Sequence, residues 1–349
     1  MKRIRIGNRT IGRDLPALVV AEIGVNHDGS VERALELLDH AAACGADAVK
    51  VQIFNAARLM NSQSRFAQYQ QSRCDDADAI AMLRRYELSD DELQRVMERA
   101  RTLGMIPLAT PFSVDDVQTI SKLDLPAVKI ASPDLVNQPL LARAAELGKP
   151  LLISTGAATM DEVAETVQWL RELEVRFALL HCVSSYPTAA ADANLCWIGQ
   201  LAEWFDAAVG YSDHTTELLG GALAVSSGAV VVEKHLTYDR NAAGPDHAAS
   251  ADPQQFAEYV RMIRLAEQLR GNGTKRVLAV EQDVRQVSRQ SLVLRRSVRS
   301  GETIAQEDLL VQRPGTGIPA AQLNDAVGKK ARRTLEAGTL LQWDMLHAA

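Results

Sequence analysis

Eight short apolar runs recur along the first 250 residues, at 19–27, 48–54, 105–113, 127–134, 150–156, 177–187, 208–215 and 230–237. Continuous apolar runs, rather than alternating ones, are what parallel strands covered on both faces require. Amphipathic segments separate them. In 30–43, Val31, Ala34, Leu35, Leu38, Ala41 and Ala42 fall on one helical face and Gly45 follows as a stop. Ser89-x-x-Glu92 and Thr159-x-x-Glu162 read as capping boxes, and Asp252-Pro253 as an N-cap followed by proline at the first helical position. Eight such βα units most simply close into an α/β fold, the (β/α)8 barrel, here assigned to residues 1–271. A doubly wound open sheet is the runner-up, but no G-x-G-x-x-G loop follows the first run. IRIGNRTIG (4–12) predicts a hairpin turning at Asn8-Arg9 and capping the barrel bottom. GNGTKR (271–276) breaks the pattern. Residues 272–284 then read as a linker, and 285–349 as a small, β-rich, turn-rich domain.

A hydrophobic content of 47% in 349 residues is ample for a barrel core plus this small domain. The net charge of −6 argues against a nucleic-acid partner. Its distribution says more: residues 272–349 hold 12 Lys+Arg against 8 Asp+Glu, whereas residues 1–271 hold 26 against 36. A basic tail on an acidic body suits their mutual attraction within one assembly, and most of those charges read at least equally as solvated faces of a small domain. No apolar stretch reaches the roughly 18 residues that span a membrane, and MKRIRIGNRT lacks the apolar segment of a signal peptide, so a cytoplasmic protein with no membrane partner is expected. Cys44, Cys74, Cys182 and Cys196 show neither a disulfide framework nor a C-x-x-C pair and read as free thiols, Cys182 as a buried strand cysteine.

Nearly every run ends in ionisable or hydroxyl side chains, as expected where a barrel carries its active site at the strand C-termini. Five of the seven histidines, His27, His181, His214, His235 and His247, lie in or just after the runs; His40 and His347 do not. His214 and His235 close the seventh and eighth runs, which would bring two imidazoles to one side of the mouth. Two neutral imidazoles can hold one divalent cation and leave positions open for water and substrate; each alone is more often a hydrogen-bonded core histidine, and only their pairing on neighbouring strands balances the two readings. Glu22, ending the first run, neighbours the eighth in a closed barrel; it could orient a water or act as a base, or serve only as a partner of Lys50 or Lys234. Lys50, Lys129, Ser132, Ser154 and Ser212 add cations and hydroxyls suited to a phosphate and a carboxylate, the two anionic ends of phosphoenolpyruvate. A barrel lysine also suits a Schiff base, as in class I aldolases, and serine at a strand end also serves as a helix cap.

AEIGVNHDGS (21–30), KVQIF (50–54), ATPFS (109–113), KIASPDL (129–135), ISTGAAT (153–159), LHCVSSYPT (180–188), GYSDHT (210–215), EKHLT (233–237) and GPDHAAS (244–250) together resemble the sialic acid synthase family. VQRPGTGI (311–318) resembles the small antifreeze-like (SAF) domain that ends those synthases. The resemblance implies condensation of phosphoenolpyruvate with an N-acetylated mannosamine-type hexosamine and water, giving a nine-carbon 2-keto sugar acid and phosphate. It implies that His214 and His235 hold Mn²⁺, or Mg²⁺ or Co²⁺, to polarise the aldehyde. Lys50, Lys129, Ser132, Ser154, Ser184 and Ser212 would bind phosphoenolpyruvate, Gln52, Asp134, Tyr186, Asp246 and Arg313 the sugar, and Glu22 would position or deprotonate the attacking water. Glu22, Lys129, His214 and His235 form the implied catalytic set. The resemblance also implies a domain-swapped homodimer in which Arg313 covers the partner's barrel mouth. The chain departs from the family at Asp134, where Glu is frequent, at Pro133 and Ser184, and at 71–80, which lacks an expected Asn. GPDHAAS is closer to neuraminic and legionaminic acid synthases than to the pseudaminic branch. Two other readings predict different behaviour: a Schiff-base lyase or aldolase on Lys129 or Lys50 works without metal, and a non-catalytic barrel binds sugar without releasing phosphate.

Overall fold

The computed structural model describes residues 3–61 and 78–347. Cys74 and most of the stretch 71–80 lie outside the described residues. The chain divides into two compact units, Met1–Asn272 and Gly273–Ala349.

Unit one opens with an antiparallel hairpin, β1 (Ile4–Ile6) and β2 (Arg9–Ile11). The turn falls at Gly7-Asn8, one residue before the predicted position, because Gly7 takes the left-handed φ of +59° at no steric cost and Arg9 already pairs with Ile6. Eight parallel strands follow: β3 (Leu18–Gly24), β4 (Ala48–Ile53), β5 (Ile106–Pro111), β6 (Val128–Ile130), β7 (Leu151–Ser154), β8 (Phe177–His181), β9 (Ala208–Asp213) and β10 (Val231–His235). They close into a barrel in sequence order, β10 pairing with β3, which excludes the open sheet.

Strand alternation sets the site. Residues pointing into the barrel near the strand starts are apolar, Leu18, Val20, Leu108, Leu152, Leu180 and Val231 among them, and they pack with Ile4, Ile6 and Ile11 of the hairpin into one buried plug. Further along the same inward rows come Glu22, Lys50, Thr110, Lys129, Ser154, Ser212, Glu233 and His235, all buried. The opposite rows, such as Val19, Ala21, Val49, Val51 and Val232, pack against the surrounding helices in the main core. The barrel is thus sealed at one end and polar at the other.

The helices start where the caps specify. Ser89/Glu92, Thr159/Glu162 and Asp252/Gln255 form reciprocal capping boxes, the last with Pro253 at the first helical turn. In the helix Val31–Ala43 the fully buried face is Val31, Ala34, Leu37, Leu38 and Ala41. Leu37 replaces the expected Leu35 and Ala42, which are only partly buried at the edge of the same stripe. Unit two holds two antiparallel pairs, Ser291–Leu294 with Leu309–Gln312 and Lys330–Ala331 with Leu346–His347, around Leu292, Leu294, Val298, Ile304, Ile318 and Leu341. The segment read as a linker is partly helical, with a turn at Ala279–Glu281 and the helix Gln282–Ser288. Among the described residues, no helix is long and apolar enough to cross a membrane.

Candidate active site

At the polar end of the barrel a cavity of about 490 Å³ opens, and twelve of the site residues expected from sequence line it. They are Lys50 and Gln52 of β4, Lys129 of β6 with Ser132 and Asp134 just beyond, Ser154 of β7, Ser184 and Tyr186 after β8, Ser212 and His214 at β9, His235 of β10, and Asp246. Glu22 does not line it but lies beneath, fully buried. Arg313 belongs to unit two, just after the strand Leu309–Gln312.

The floor is a chain of buried charges. Lys50 Nζ lies 2.5 Å from Glu22 Oε2 and 2.9 Å from Glu233 Oε1, while Lys129 Nζ is 3.9 Å from the same Glu233 oxygen. Ser212 Oγ also donates to Glu233 at 2.9 Å, and Lys129 donates to Ser154 Oγ at 2.6 Å and to the Ile130 carbonyl at 3.1 Å. Burial pushes the Lys50 ammonium down to about 8 against the pull of Glu233. Burial alone would raise the Glu233 carboxyl, but the Lys129 and Lys50 cations and their hydrogen bonds hold it well below the usual range. Glu22 Oε1 is buried with no hydrogen-bond partner among the described residues.

Beside Lys129, Ser132 Oγ accepts from Gly156 N at 3.1 Å and meets Cys182 Sγ at 3.0 Å. A Cβ at position 156 would lie 2.5 Å from Ser184 Oγ and 2.9 Å from Ser132 Oγ, so only glycine keeps this cradle of hydroxyls open.

The two histidines approach from neighbouring strands, their ring centroids 5.7 Å apart, with the Tyr186 ring tilted at 36° and its centroid 4.2 Å from that of His214. His214 Nδ1 is 2.7 Å from the Val183 carbonyl, which can only accept, so Nδ1 carries the proton and Nε2 keeps its lone pair. His235 Nδ1 has no hydrogen-bond partner among the described residues; Asp246 Oδ2 stands 3.7 Å away. Burial pushes His214 down to about 4, and burial with the neighbouring His214 pushes His235 well below its ordinary value, so both rings are neutral. Neutral rings, one with an unclaimed Nδ1 on His235 and one whose Nε2 meets Ser212 Oγ at a long 3.4 Å on His214, form a donor pair that fits a divalent cation. Among the described residues no third histidine, cysteine or carboxylate completes a closed metal cage.

The remaining strand-end histidines have other work. His181 Nε2 bonds the Ala193 carbonyl, His27 Nδ1 accepts from Gly29 N, and His247 bridges Thr237 and Asp28. Cys44, Cys182 and Cys196 are free thiols, and Cys182 is buried. Sequence reasoning left three features unassigned: Glu233, Thr110, and an apolar wall of Phe54, Leu59, Met60, Met82, Leu83 and Phe112. Glu233 lies on the inward row of His235 in β10 and Thr110 on the inward row of β5, so extending the alternation along each run was the available signal. The apolar wall comes from loops and short helices above β4 and β5, for which no period exists.

Residues 37–275 match the NeuB family and residues 289–347 the SAF domain. The chain is similar to the N,N'-diacetyllegionaminic acid synthase of Legionella pneumophila, 37% identical over 98% of both chains. It is 32% identical to the human N-acetylneuraminate-9-phosphate synthase, over 94% of this chain and 92% of that one. Among solved structures, the N-acetylneuraminic acid synthetase of Leptospira borgpetersenii superposes with a TM-score of 0.74 at 33% identity, covering 81% of this chain and 95% of that one. Barrel, cavity and these likenesses converge on one assignment: the chain belongs to the NeuB family and ends in a SAF domain.

Proposed function

We propose that this chain is a metal-dependent sialic-acid-type synthase. It condenses phosphoenolpyruvate with an N-acetylated mannosamine-type sugar and water, giving phosphate and a nine-carbon 2-keto sugar acid of the N-acetylneuraminate or legionaminate type. The observation that carries this reading is the meeting, in one cavity, of a neutral histidine pair with a cluster of lysines and serines.

Lys129, Ser132, Ser154, Ser184 and Ser212, with Lys50, bind the phosphate and carboxylate of phosphoenolpyruvate, where charge-assisted hydrogen bonds are strong. His214 and His235 would hold Mn²⁺, with Mg²⁺ or Co²⁺ as alternatives; when bound, the ion supplies Lewis-acid polarisation of the acceptor aldehyde. Gln52, Asp134, Tyr186 and Asp246 orient the sugar, so that C3 of the enol ether faces the aldehyde carbon and forms the new bond. Positive charge then develops at C2, close to the carboxylates of Glu22 and Glu233. Glu22 holds or deprotonates the water that adds there, a role supported by its buried, unclaimed Oε1. The tetrahedral intermediate expels phosphate into the Lys129 and serine cradle. Arg313 completes the sugar site from the tail of a second protomer in a domain-swapped homodimer.

The apolar wall suits acetamido and deoxy methyl groups. Lys50 and Lys129 are the cations lining the cavity among the described residues, and both already face carboxylates or hydroxyls, which favours an acceptor without its own phosphate. Phosphate release from phosphoenolpyruvate with a panel of 2-acetamido hexoses, with and without Mn²⁺, tests the reading. Release only with sugar and metal together supports it; no release with any acceptor overturns it. A second reading rests on Lys50, whose lowered value of about 8 suits an amine nucleophile; it requires metal-independent turnover and borohydride trapping.

A further inference from the structure

Behind the histidine pair, on the outer face of the barrel wall, lies a second buried charge cluster that contacts no part of the cavity. Asp213 and Lys234 are the last cross-strand pair of the β9–β10 ladder, and His214 and His235 are the residues immediately beyond it. The backbone ladder therefore stops one residue short of the groups whose spacing matters. Side chains continue the pairing. Lys234 Nζ lies 3.2 Å from Asp213 Oδ2 and donates to the Thr215 carbonyl at 2.7 Å. Asp213 Oδ1 accepts from Thr215 N at 2.9 Å and Thr215 Oγ1 at 2.8 Å, so the residues on either side of His214 are tied to each other and to the strand of His235.

The helix Pro253–Arg270 anchors the cluster through Tyr259, whose hydroxyl donates to Asp213 Oδ2 at 2.8 Å and whose ring sits 5.0 Å from Lys234 Nζ. Asp213, Lys234 and Tyr259 are each at most 2% exposed. Gly220 and Gly221 leave the room they need: a Cβ on Gly220 would lie 2.6 Å from Asp213 Oδ2, and one on Gly221 2.5 Å from the Tyr259 ring. A buried ion pair is weak evidence of stability, since apolar replacements of equal volume commonly do as well, but it is well suited to fixing register. On a strand, a slip of one residue would turn both histidines out of the cavity.

We propose that the Asp213–Lys234 pair, anchored by Tyr259, is a positioning clamp that sets the spacing and ring orientation of His214 and His235. Its bearing on metal uptake rests on the proposed role of those histidines; its bearing on their geometry does not.

The test compares full-length wild type with Asp213→Asn/Lys234→Met, Lys234→Arg and Tyr259→Phe. Mn²⁺ binding is titrated directly, phosphoenolpyruvate binding is measured without metal, and the histidine ring nitrogens are followed by ¹⁵N NMR. In the double variant, which removes both charges and strands neither, Mn²⁺ should bind about tenfold or more weakly, as when other groups that orient ligands are removed. Phosphoenolpyruvate affinity should stay within about twofold, and the His214 signals should move from a single tautomer towards an averaged one. Lys234→Arg should restore most of the affinity, and Tyr259→Phe should show a smaller loss in the same direction. Unchanged Mn²⁺ affinity and unchanged histidine signals in the folded double variant overturn the inference, as does an equal loss of both ligands. Should the double variant fail to fold, Tyr259→Phe decides by the same readouts. Should wild type take up no Mn²⁺, the metal reading falls and the histidine signals alone decide the clamp.

Discussion

Lys50 Nζ donates to Glu233 Oε1 at 2.9 Å in the buried floor of the cavity, and this contact is the main pull against the burial that drives the amine down to about 8. Glu233→Gln removes the opposition, so Lys50 should lose its proton at a lower pH. In the proposed site, phosphoenolpyruvate binding would need the ammonium form. In wild type, kcat/KM for phosphoenolpyruvate should fall as pH rises through about 8, and in Glu233→Gln the same fall should begin at lower pH. A pH profile of the two proteins checks the direction; coincident alkaline limbs would remove Lys50 from the binding role.

His214→Ala or His235→Ala should abolish turnover while phosphoenolpyruvate still binds, because one imidazole leaves too few ligands to retain the ion. The expected loss in rate is a factor on the order of 10² or more. Turnover near wild type in both variants with a chelator present would refute the metal assignment.

Lys129→Met and Ser212→Ala should weaken phosphoenolpyruvate far more than sugar, since only the former brings two anionic ends. Steady-state KM values for each substrate separate the two effects. Trapping of a carbonyl substrate on Lys129 by borohydride would favour the aldolase chemistry instead.

His27 is buried, and desolvation lowers it to about 4 against roughly 6.5 when unfolded. The unfolded chain therefore binds the extra proton between these values, and stability should rise with pH across that window and be lost as pH falls through it. The His27 share is on the order of 3 kcal/mol. Urea unfolding of the metal-free protein from pH 4 to 7 measures the slope, which His27→Gln should reduce.

Arg313 should act in trans. Mixing Arg313→Ala with His214→Ala pairs one intact barrel with one intact tail in each heterodimer, so random exchange should recover up to about a quarter of wild-type activity. A mixture that stays inactive despite verified heterodimers would place Arg313 in cis or outside the site.

The fold was legible in the sequence because it rests on local rules. Continuous apolar runs, capping boxes at Ser89 and Thr159, and Pro253 at a helix start specify elements whatever lies around them. The site residues at the strand ends were legible for the same reason, since inward-facing rows in parallel strands must converge once the barrel closes. Leu37 could not be told from Leu35 on a helical wheel, because the edge of a buried stripe depends on what packs against it. Tertiary structure alone decided partners. It separated His214 and His235 from His27, His181 and His247, gave Glu22 to Lys50, and joined Asp213, Lys234 and Tyr259 across intervals of 21 and 46 residues. Periodicity says which way a side chain points. Which distant group it meets there is set by closure of the barrel and by the helices laid against it, and neither leaves a local mark on the chain.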